Sequence, residues 1–385
     1  RYSTTGASTF TNTQPLMVSH KGKTLAVAHN GNLVNSIELR KTLEESGSIF
    51  QTTMDSEVVL HLMARNCDNG LDEALAKTFQ QLKGAYSMLF MTEDTMIAVR
   101  DPDGFRPLCL GRLTNGGWVV ASETCALDLI EAEYIRDIEP GEVLILKKDE
   151  EMRSIHPWPK QDPHYCIFEQ VYFARPDSDV FGSNVYEARK RMGRILAREA
   201  RIDADIVMPF PDSGNYAALG YAQESGIPLE FGVIRNHYVG RTFIQPTQSM
   251  RDFNVRVKLN PIRSFLKGKK VMIVEDSIIR GTTGKSRVRA LREAGVKEVH
   301  MVVSCPPTRH ACYYGIDFPS ASQLIACSKN IEEIAEYLGL DSLHYLSLEG
   351  LVEATGLNPK HFCLACFDGK YPIEPDQNFH KNALA

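Results

Sequence analysis

The sequence predicts two domains of different class, a layered α+β domain followed by an α/β domain built on a parallel sheet. Three observations predict it. The first half carries short runs that alternate apolar and polar residues around helical stretches. The second half carries continuous apolar runs, suited to strands buried on both faces, separated by amphipathic helices. Between them, HPWPKQDPHY (156–165) sets three prolines that interrupt both periodicities. A chain of 385 residues is long enough for two cores, so the boundary falls there, with domains at 1–157 and 158–385.

In the first half the expected strands are TLAVAH from Thr24, AYSMLF from Ala85, TMIAVR from Thr95, GWVVAS from Gly117 and EVLILK from Glu142, with helices around 36–46, 56–65 and 71–82. In the second half the buried runs are DIVMPF from Asp205, LEFGVI from Leu229, KVMIVED from Lys270, EVHMVVS from Glu298 and LHYLSL from Leu343. The helical segments NYAALGYAQES and TGKSRVRALREAG close at Gly226 and Gly295, where a left-handed residue ends a helix.

Hydrophobic residues make up 43% and charged residues 24%, with a net charge of -5. No basic field exists to hold nucleic acid. No apolar run approaches the roughly 18–20 residues that cross a bilayer, and no charged-then-apolar leader opens the chain, so a cytoplasmic or organelle-stromal protein is expected. The chain opens at Arg1 with RYSTTGAS and no initiator methionine, as a chain starting inside a domain would. Nine cysteines, an odd number scattered through core-like strands, point to reduced thiols rather than a disulfide framework.

Ligands in open parallel sheets sit beyond the carboxyl ends of strands. The run VMIV is followed by Glu275-Asp276-Ser277-Ile278-Ile279-Arg280-Gly281-Thr282-Thr283-Gly284 and then a helix. Adjacent carboxylates at a strand end hold hydroxyls or Mg²⁺, and small residues before a helix N-terminus offer N–H groups and hydroxyls to a phosphate. No Gly-Lys-Ser/Thr stands at the offset a Walker A loop needs. A second strand end, Phe210-Pro211-Asp212-Ser213-Gly214-Asn215, is by its residues alone an ordinary turn. Between them, Arg235 to Ile244 combines two arginines, glycine and aromatic residues. In the first half, the Asn30-Gly31 pair by itself signals a hairpin. Near the C-terminus, Cys363 and Cys366 form a C-x-x-C that fits zinc, a redox pair or two core thiols. His29, His310 and His361 are further metal-ligating types.

Taken in order, these segments resemble a known family. Glu275 to Gly284 is similar to the signature with which phosphoribosyltransferases bind phosphoribosylpyrophosphate (PRPP), and the Ser213 turn resembles their pyrophosphate loop. RYSTTG at Arg1, AHNGNL at Ala28 and TTMDSE around Asp55 resemble the glutamine-binding segments of class II, N-terminal-nucleophile amidotransferases. Over nearly all its length the chain resembles the glutamine PRPP amidotransferases of iron–sulfur type. The resemblance implies an N-terminal-nucleophile sandwich followed by a type I phosphoribosyltransferase domain. It implies formation of 5-phosphoribosylamine, glutamate and pyrophosphate from PRPP, glutamine and water, the first step of purine synthesis, with ammonia passing between the domains.

The resemblance also implies roles. Glu275 and Asp276 would bind the ribose hydroxyls and, with Ser213, Mg²⁺. Ser277, Arg280, Gly281, Thr282 and Thr283 would cradle the 5′-phosphate, and Arg241, in a closing loop, would approach the pyrophosphate. Arg1 would pair with the glutamine α-carboxylate beside Thr4, Asp55 would receive the α-amino group, and Asn30 and Gly31 would form the oxyanion hole. The family's nucleophile, a cysteine that starts the mature enzyme, is absent from these residues, so they are expected to use ammonia only. Cys166, Cys312, Cys363 and Cys366 would hold a structural [4Fe-4S] cluster; Cys305 competes with Cys312, and Cys67, Cys109, Cys125 and Cys327 belong to the core. Tyr172 and Tyr238 would line the ammonia channel. Purine nucleotides as feedback inhibitors and a homotetramer complete the expectation. The alternative of another class is a PRPP-sensing regulator, which would need a DNA-binding domain in place of the glutamine segments.

Overall fold

A computed structural model describes residues 5–6, 9–67, 70–236, 259–318 and 320–375. The first half contains strands β1 (Leu16–His20), β2 (Lys23–Leu33), β3 (Gly84–Met91), β4 (Thr95–Arg100), β5 (Cys109–Arg112), β6 (Trp118–Ala121), β7 (Glu133–Asp137), β8 (Val143–Lys147) and β9 (Arg153–Ile155), with helices α1 (Ser36–Glu45), α2 (Ser56–Asn66) and α3 (Leu71–Phe79). An antiparallel sheet runs β1-β2-β3-β4-β8-β9 and a second runs β6-β5-β7. Side chains alternate across a strand, which sends Ile97, Val99, Val143 and Ile145 against Val58, Leu62, Leu75 and Phe79 of α2 and α3. Ala98, Leu144 and Leu146 point the other way, onto Leu110 of the second sheet and the neighbouring Leu108. The layers are therefore helix, sheet, sheet.

Residues 156–164 carry no regular structure. After them come β10 (Tyr165–Cys166), β11 (Ile206–Pro209), β12 (Lys270–Glu275), β13 (Glu298–Val303), β14 (Ser342–Tyr345) and β15 (Phe362–Cys363). The central sheet is parallel in the order β11-β12-β13-β14. Helices α5 (Asn215–Ser225) and α8 (Leu348–Thr355) each pack on α4 (Val185–Glu199), and α6 (Thr282–Glu293) packs against α7 (Ile331–Leu338). Val271 to Val274 have no exposed surface, as their unbroken apolar run requires. Consecutive parallel strands need crossovers, so every strand of this sheet ends on the same edge.

Two expectations shift. The run from Leu229 makes a single parallel bridge to Val207, and Val233–Arg235 then pairs antiparallel with Leu259–Pro261. Pro228 and Gly232 bracket the run and leave room for no more. LHYLSL ends as a strand at Tyr345, because the Ser347 hydroxyl accepts the Gly350 N–H at 2.9 Å and caps α8. In the first half, strands β1, β5, β7 and β9 went unforeseen; β7 reads EYIRD and is largely exposed.

Candidate active site

The parallel register places Pro209 beside Val274, and the Phe210 N–H extends the ladder to the Val274 carbonyl at 3.0 Å. The Ser213 turn consequently lies over the end of β12. Gly214 permits this, since a Cβ there would stand 2.3 Å from the Val274 oxygen. The Ser213 hydroxyl donates to Asp276 Oδ1 at 2.5 Å and the Ser277 hydroxyl to Oδ2 at 2.6 Å. Arg235 pairs with Asp212 at the rim. Gly281, left-handed at φ +73°, precedes α6, whose first N–H groups have no intrahelical acceptor. Arg280, Thr282 and Thr283 are exposed beside this opening.

Glu275 and Asp276 are both buried. Loss of water pushes the Glu275 carboxyl up to about 8; the neighbouring Asp276 adds to the rise, and Arg287, 2.8 Å away, opposes it. The Arg287 guanidinium lies over the Phe210 ring at 4.9 Å. The site therefore holds two carboxylates, hydroxyls and free helix N–H groups on one edge, a set suited to a polyol phosphate with a hard cation.

The glutamine-type segments also converge. The Asn-Gly pair forms no hairpin: β2 continues through it, with Asn30 opposite Ser87 and Gly31 opposite Tyr86. Gly31 has φ +145°, and a Cβ on it would meet the Ala85 oxygen at 2.0 Å, so only glycine fits. Asp55, fully buried, accepts the Leu33 N–H at 3.0 Å and lies 3.5 Å from His29 Nδ1. His29 also contacts Ser56 Oγ at 3.2 Å and the Ala85 oxygen at 3.3 Å, which occupies both ring nitrogens. Thr5 donates to Asn32, and Gly6 lies against Thr53. Cys67 stands at the β1–β2 hairpin with His20 and Lys21, about 20 Å along β2 from Asn30 at the rise of a strand.

A third group sits between the two sites. Strands β10 and β15 pair in parallel with Cys166 opposite Cys363. Burial pushes the Cys366 thiol well up, and Cys166, Cys312 and Cys363 add to it; burial likewise takes Cys166 to about 12. Cys305 is buried as well and also raises Cys366, but the Cys166 and Cys363 thiols respond to Cys312 and not to Cys305. Cys312 rather than Cys305 thus stands with the other three thiols. Cys312 lies in the loop after β13, the third strand of the sheet. Among the described residues, no three His, Cys, Asp or Glu side chains draw together as around a single metal ion.

This loop joins the halves. Asn32 Nδ2 donates to the Tyr313 oxygen at 2.9 Å, and a Cβ on Gly315 would stand 2.8 Å from the Gly31 Cα. Arg106, from the first half, pairs with Glu169 at 2.8 Å and donates to the Gly315 oxygen at 3.3 Å. Sequence reasoning missed Arg106, Glu169 and Arg287, whose partners are distant in sequence. Tyr172 is half exposed and packs on Phe168 and Phe173. Arg1, Thr4, Tyr238 and Arg241 lie outside the described residues.

Residues 3–129 match the family model of a glutamine amidotransferase domain and residues 183–337 that of a phosphoribosyl transferase domain. Amidophosphoribosyltransferase 1, chloroplastic, of Arabidopsis thaliana is 53% identical over 377 residues, which are 98% of this chain and 66% of the plant protein. The chain therefore spans just under two thirds of that relative. The amidophosphoribosyltransferase of Methanocaldococcus jannaschii is 49% identical over 397 residues, covering 99% of this chain and 83% of the archaeal one. A solved structure of the glutamine PRPP amidotransferase from B. subtilis complexed with ADP and GMP superposes with a TM-score of 0.92 at 47% identity, over 98% of this chain and 84% of that one.

Proposed function

The chain belongs to the amidophosphoribosyltransferase family, and on that premise we propose that the protein converts PRPP, glutamine and water to 5-phosphoribosylamine, glutamate and pyrophosphate, the first step of purine synthesis. The observation that carries this reading is the Ser213 bond to Asp276 at 2.5 Å. It joins a pyrophosphate-type turn to an acidic strand end at the mouth of a helix N-terminus, while a glutamine-type strand lies against the loop behind.

Glu275 and Asp276 take the ribose hydroxyls, and their oxygens with Ser213 suit Mg²⁺, which prefers hard oxygen donors. Ser277, Arg280, Gly281, Thr282 and Thr283 receive the 5′-phosphate on free N–H groups and hydroxyls, with Arg241 approaching the pyrophosphate. Excluding water there protects an oxocarbenium-like C1 until ammonia arrives. Asp55 receives the glutamine amine and Arg1, beside Thr4, its carboxylate, while Asn30 and Gly31 face the developing oxyanion. With no attacking thiol assigned among their nine cysteines, residues 1–385 by themselves are expected to use ammonia.

Cys166, Cys312, Cys363 and Cys366 suit a [4Fe-4S] cluster, in which each thiolate takes its own iron and the four need not converge on one point. Buried thiols without a compensating cation would resist ionisation; the Arg106 guanidinium beside Cys166 and Cys312 supplies one. When bound, the cluster would tie the C-terminal segment to the body. The B. subtilis structure, solved with ADP and GMP, supports purine nucleotides as feedback inhibitors; a homotetramer in the cytoplasm or an organelle stroma completes the proposal. No helix among the described residues is long and apolar enough to cross a membrane.

The test is phosphoribosylamine formation measured with ammonium and with glutamine. Residues 1–385 should respond to ammonium alone. Activity with neither would overturn the function, and equal activity of residues 1–385 with glutamine would overturn the reading that none of their cysteines attacks glutamine.

A further inference from the structure

We propose that Arg106 is a positioning residue that compensates the charge of the four-thiol site and, by holding the Gly315 carbonyl, ties that site to the oxyanion strand at Gly31. This rests on the reading of the four thiols as cluster ligands. Arg106 belongs to the first half, and its backbone is fixed there. Its carbonyl accepts Arg100 Nε at 3.0 Å, and Asp101 accepts the Tyr86 N–H at 2.9 Å and the Phe105 N–H at 3.2 Å. Only the side chain crosses into the second half. It is 2% exposed, lies 5.2 Å over the Phe173 ring and pairs with Glu169, three residues beyond Cys166.

The guanidinium is only partly satisfied by Glu169 and the Gly315 oxygen. Its Nε and Nη1 are buried yet make no well-directed hydrogen bond, even though Nη1 is 2.8 Å from Glu169. A buried donor left unmade costs about 1–3 kcal/mol, so a retained one points to an acceptor beyond the protein's own oxygens. Besides Glu169, the groups facing it are the Cys166 and Cys312 sulfurs. A cluster held by four thiolates is net negative, and hydrogen bonds to its sulfurs set its potential. Arg106 therefore stabilises the more negative, reduced state.

The other arm of the guanidinium reaches glutamine chemistry. Nη2 donates to the Gly315 oxygen at 3.3 Å, the Gly315 backbone rests on Gly31, and Asn32 holds the Tyr313 carbonyl at 2.9 Å. The loop that presents Cys312 is thus the same loop that backs Asn30 and Gly31. A displacement of Cys312 is passed to the oxyanion strand through backbone contacts that have no slack, while the PRPP edge is built from other residues.

The experiment uses the full-length protein prepared without oxygen, unaltered and as R106M, R106K and the double variant R106M/E169Q. The double variant avoids leaving Glu169 buried and unpaired, so a folding defect in R106M alone does not decide the matter. Iron and sulfide per chain, the cluster potential, and rates with glutamine and with ammonium are measured. In R106M the potential should fall, with a smaller fall in R106M/E169Q, which removes a neutral pair, and in both kcat/KM for glutamine should drop about 10- to 100-fold, the usual effect of removing an outer partner of a metal site, with the ammonium rate unchanged. R106K, which keeps the charge without the fork, should lie between. Absence of iron and sulfide from the unaltered protein overturns the cluster reading. A loaded cluster of identical potential in all four proteins overturns the role of Arg106 alone. Equal losses with glutamine and ammonium overturn the tie to Gly31.

Discussion

The backbone of Gly315 rests directly on that of Gly31: a Cβ added to Gly315 would stand 2.8 Å from the Gly31 Cα and 3.1 Å from its carbonyl carbon. Gly315 has φ +104°, so alanine would be strained there as well as crowded, at a cost of about 1–3 kcal/mol. The displaced partner is the strand proposed to stabilise the oxyanion. In the full-length protein, Gly315→Ala should lower kcat/KM for glutamine by about tenfold to a hundredfold, the scale of a small misplacement at a reacting centre. The rate with ammonium should hold. A parallel fall in both would mean that the contact supports folding and nothing more.

Asp55 is buried with its Oδ2 on the Leu33 N–H at 3.0 Å. Asparagine can keep that acceptor but not the negative charge that would meet an ammonium group. A hydrogen bond to a charged partner contributes about 1.5–3 kcal/mol, so Asp55→Asn should raise KM for glutamine by roughly one to two orders of magnitude. PRPP saturation measured with ammonium should stay as it was. An unchanged glutamine KM would remove Asp55 from the binding site.

The Glu275 carboxyl, pushed up to about 8 by burial, gives a pH dependence whose sign can be worked out. Between the ordinary carboxylate value and 8, the folded protein holds a proton that the unfolded chain has released. Stability then falls as pH rises. The contribution is fully present below the unfolded value of 4.5 and lost as pH passes through about 8. Glu275→Gln has no proton to lose. The denaturation midpoint of the unaltered protein, measured without ligand from pH 5 to 9, should decline relative to this variant as pH rises. Parallel curves would contradict the shift.

How much of this was legible in the sequence depended on range. The Glu275 to Gly284 segment could be read because strand, acidic pair and helix start are consecutive. Asn30-Gly31 alone signalled a hairpin, and its neighbouring segments turned the reading to an oxyanion hole; that β2 runs on through the pair, with Gly31 at φ +145°, was not foreseen. The Leu229 run misled because apolar composition does not reveal that Pro228 and Gly232 leave room for one bridge. Arg106 with Glu169 was invisible, since a charged residue gives no periodic signal and its partner is set only by how the halves meet. Gly193 and Gly220 also went unremarked, since a glycine inside a helix carries no local sign of what approaches it.

Those two glycines set the distance between α4 and α5. A Cβ on Gly193 would stand 1.9 Å from the Ala217 oxygen, and one on Gly220 would stand 1.9 Å from the Lys190 oxygen. Two effects then oppose each other in Gly193→Ala and Gly220→Ala. Alanine favours a helix interior by about 1 kcal/mol over glycine, whereas overpacking typically costs about 1–3 kcal/mol and occasionally more. The clash is with backbone, which no rotamer change relieves, so the helices must separate and the cost should prevail. Chemical denaturation should show a lower midpoint for each variant. Because α5 begins at Asn215, directly after the Ser213 turn, its displacement draws Ser213 away from Asp276, and KM for PRPP should rise with the loss of stability. A variant that gains stability would show that helix preference outweighs the contact, and that α4 and α5 can part without disturbing the strand end they support.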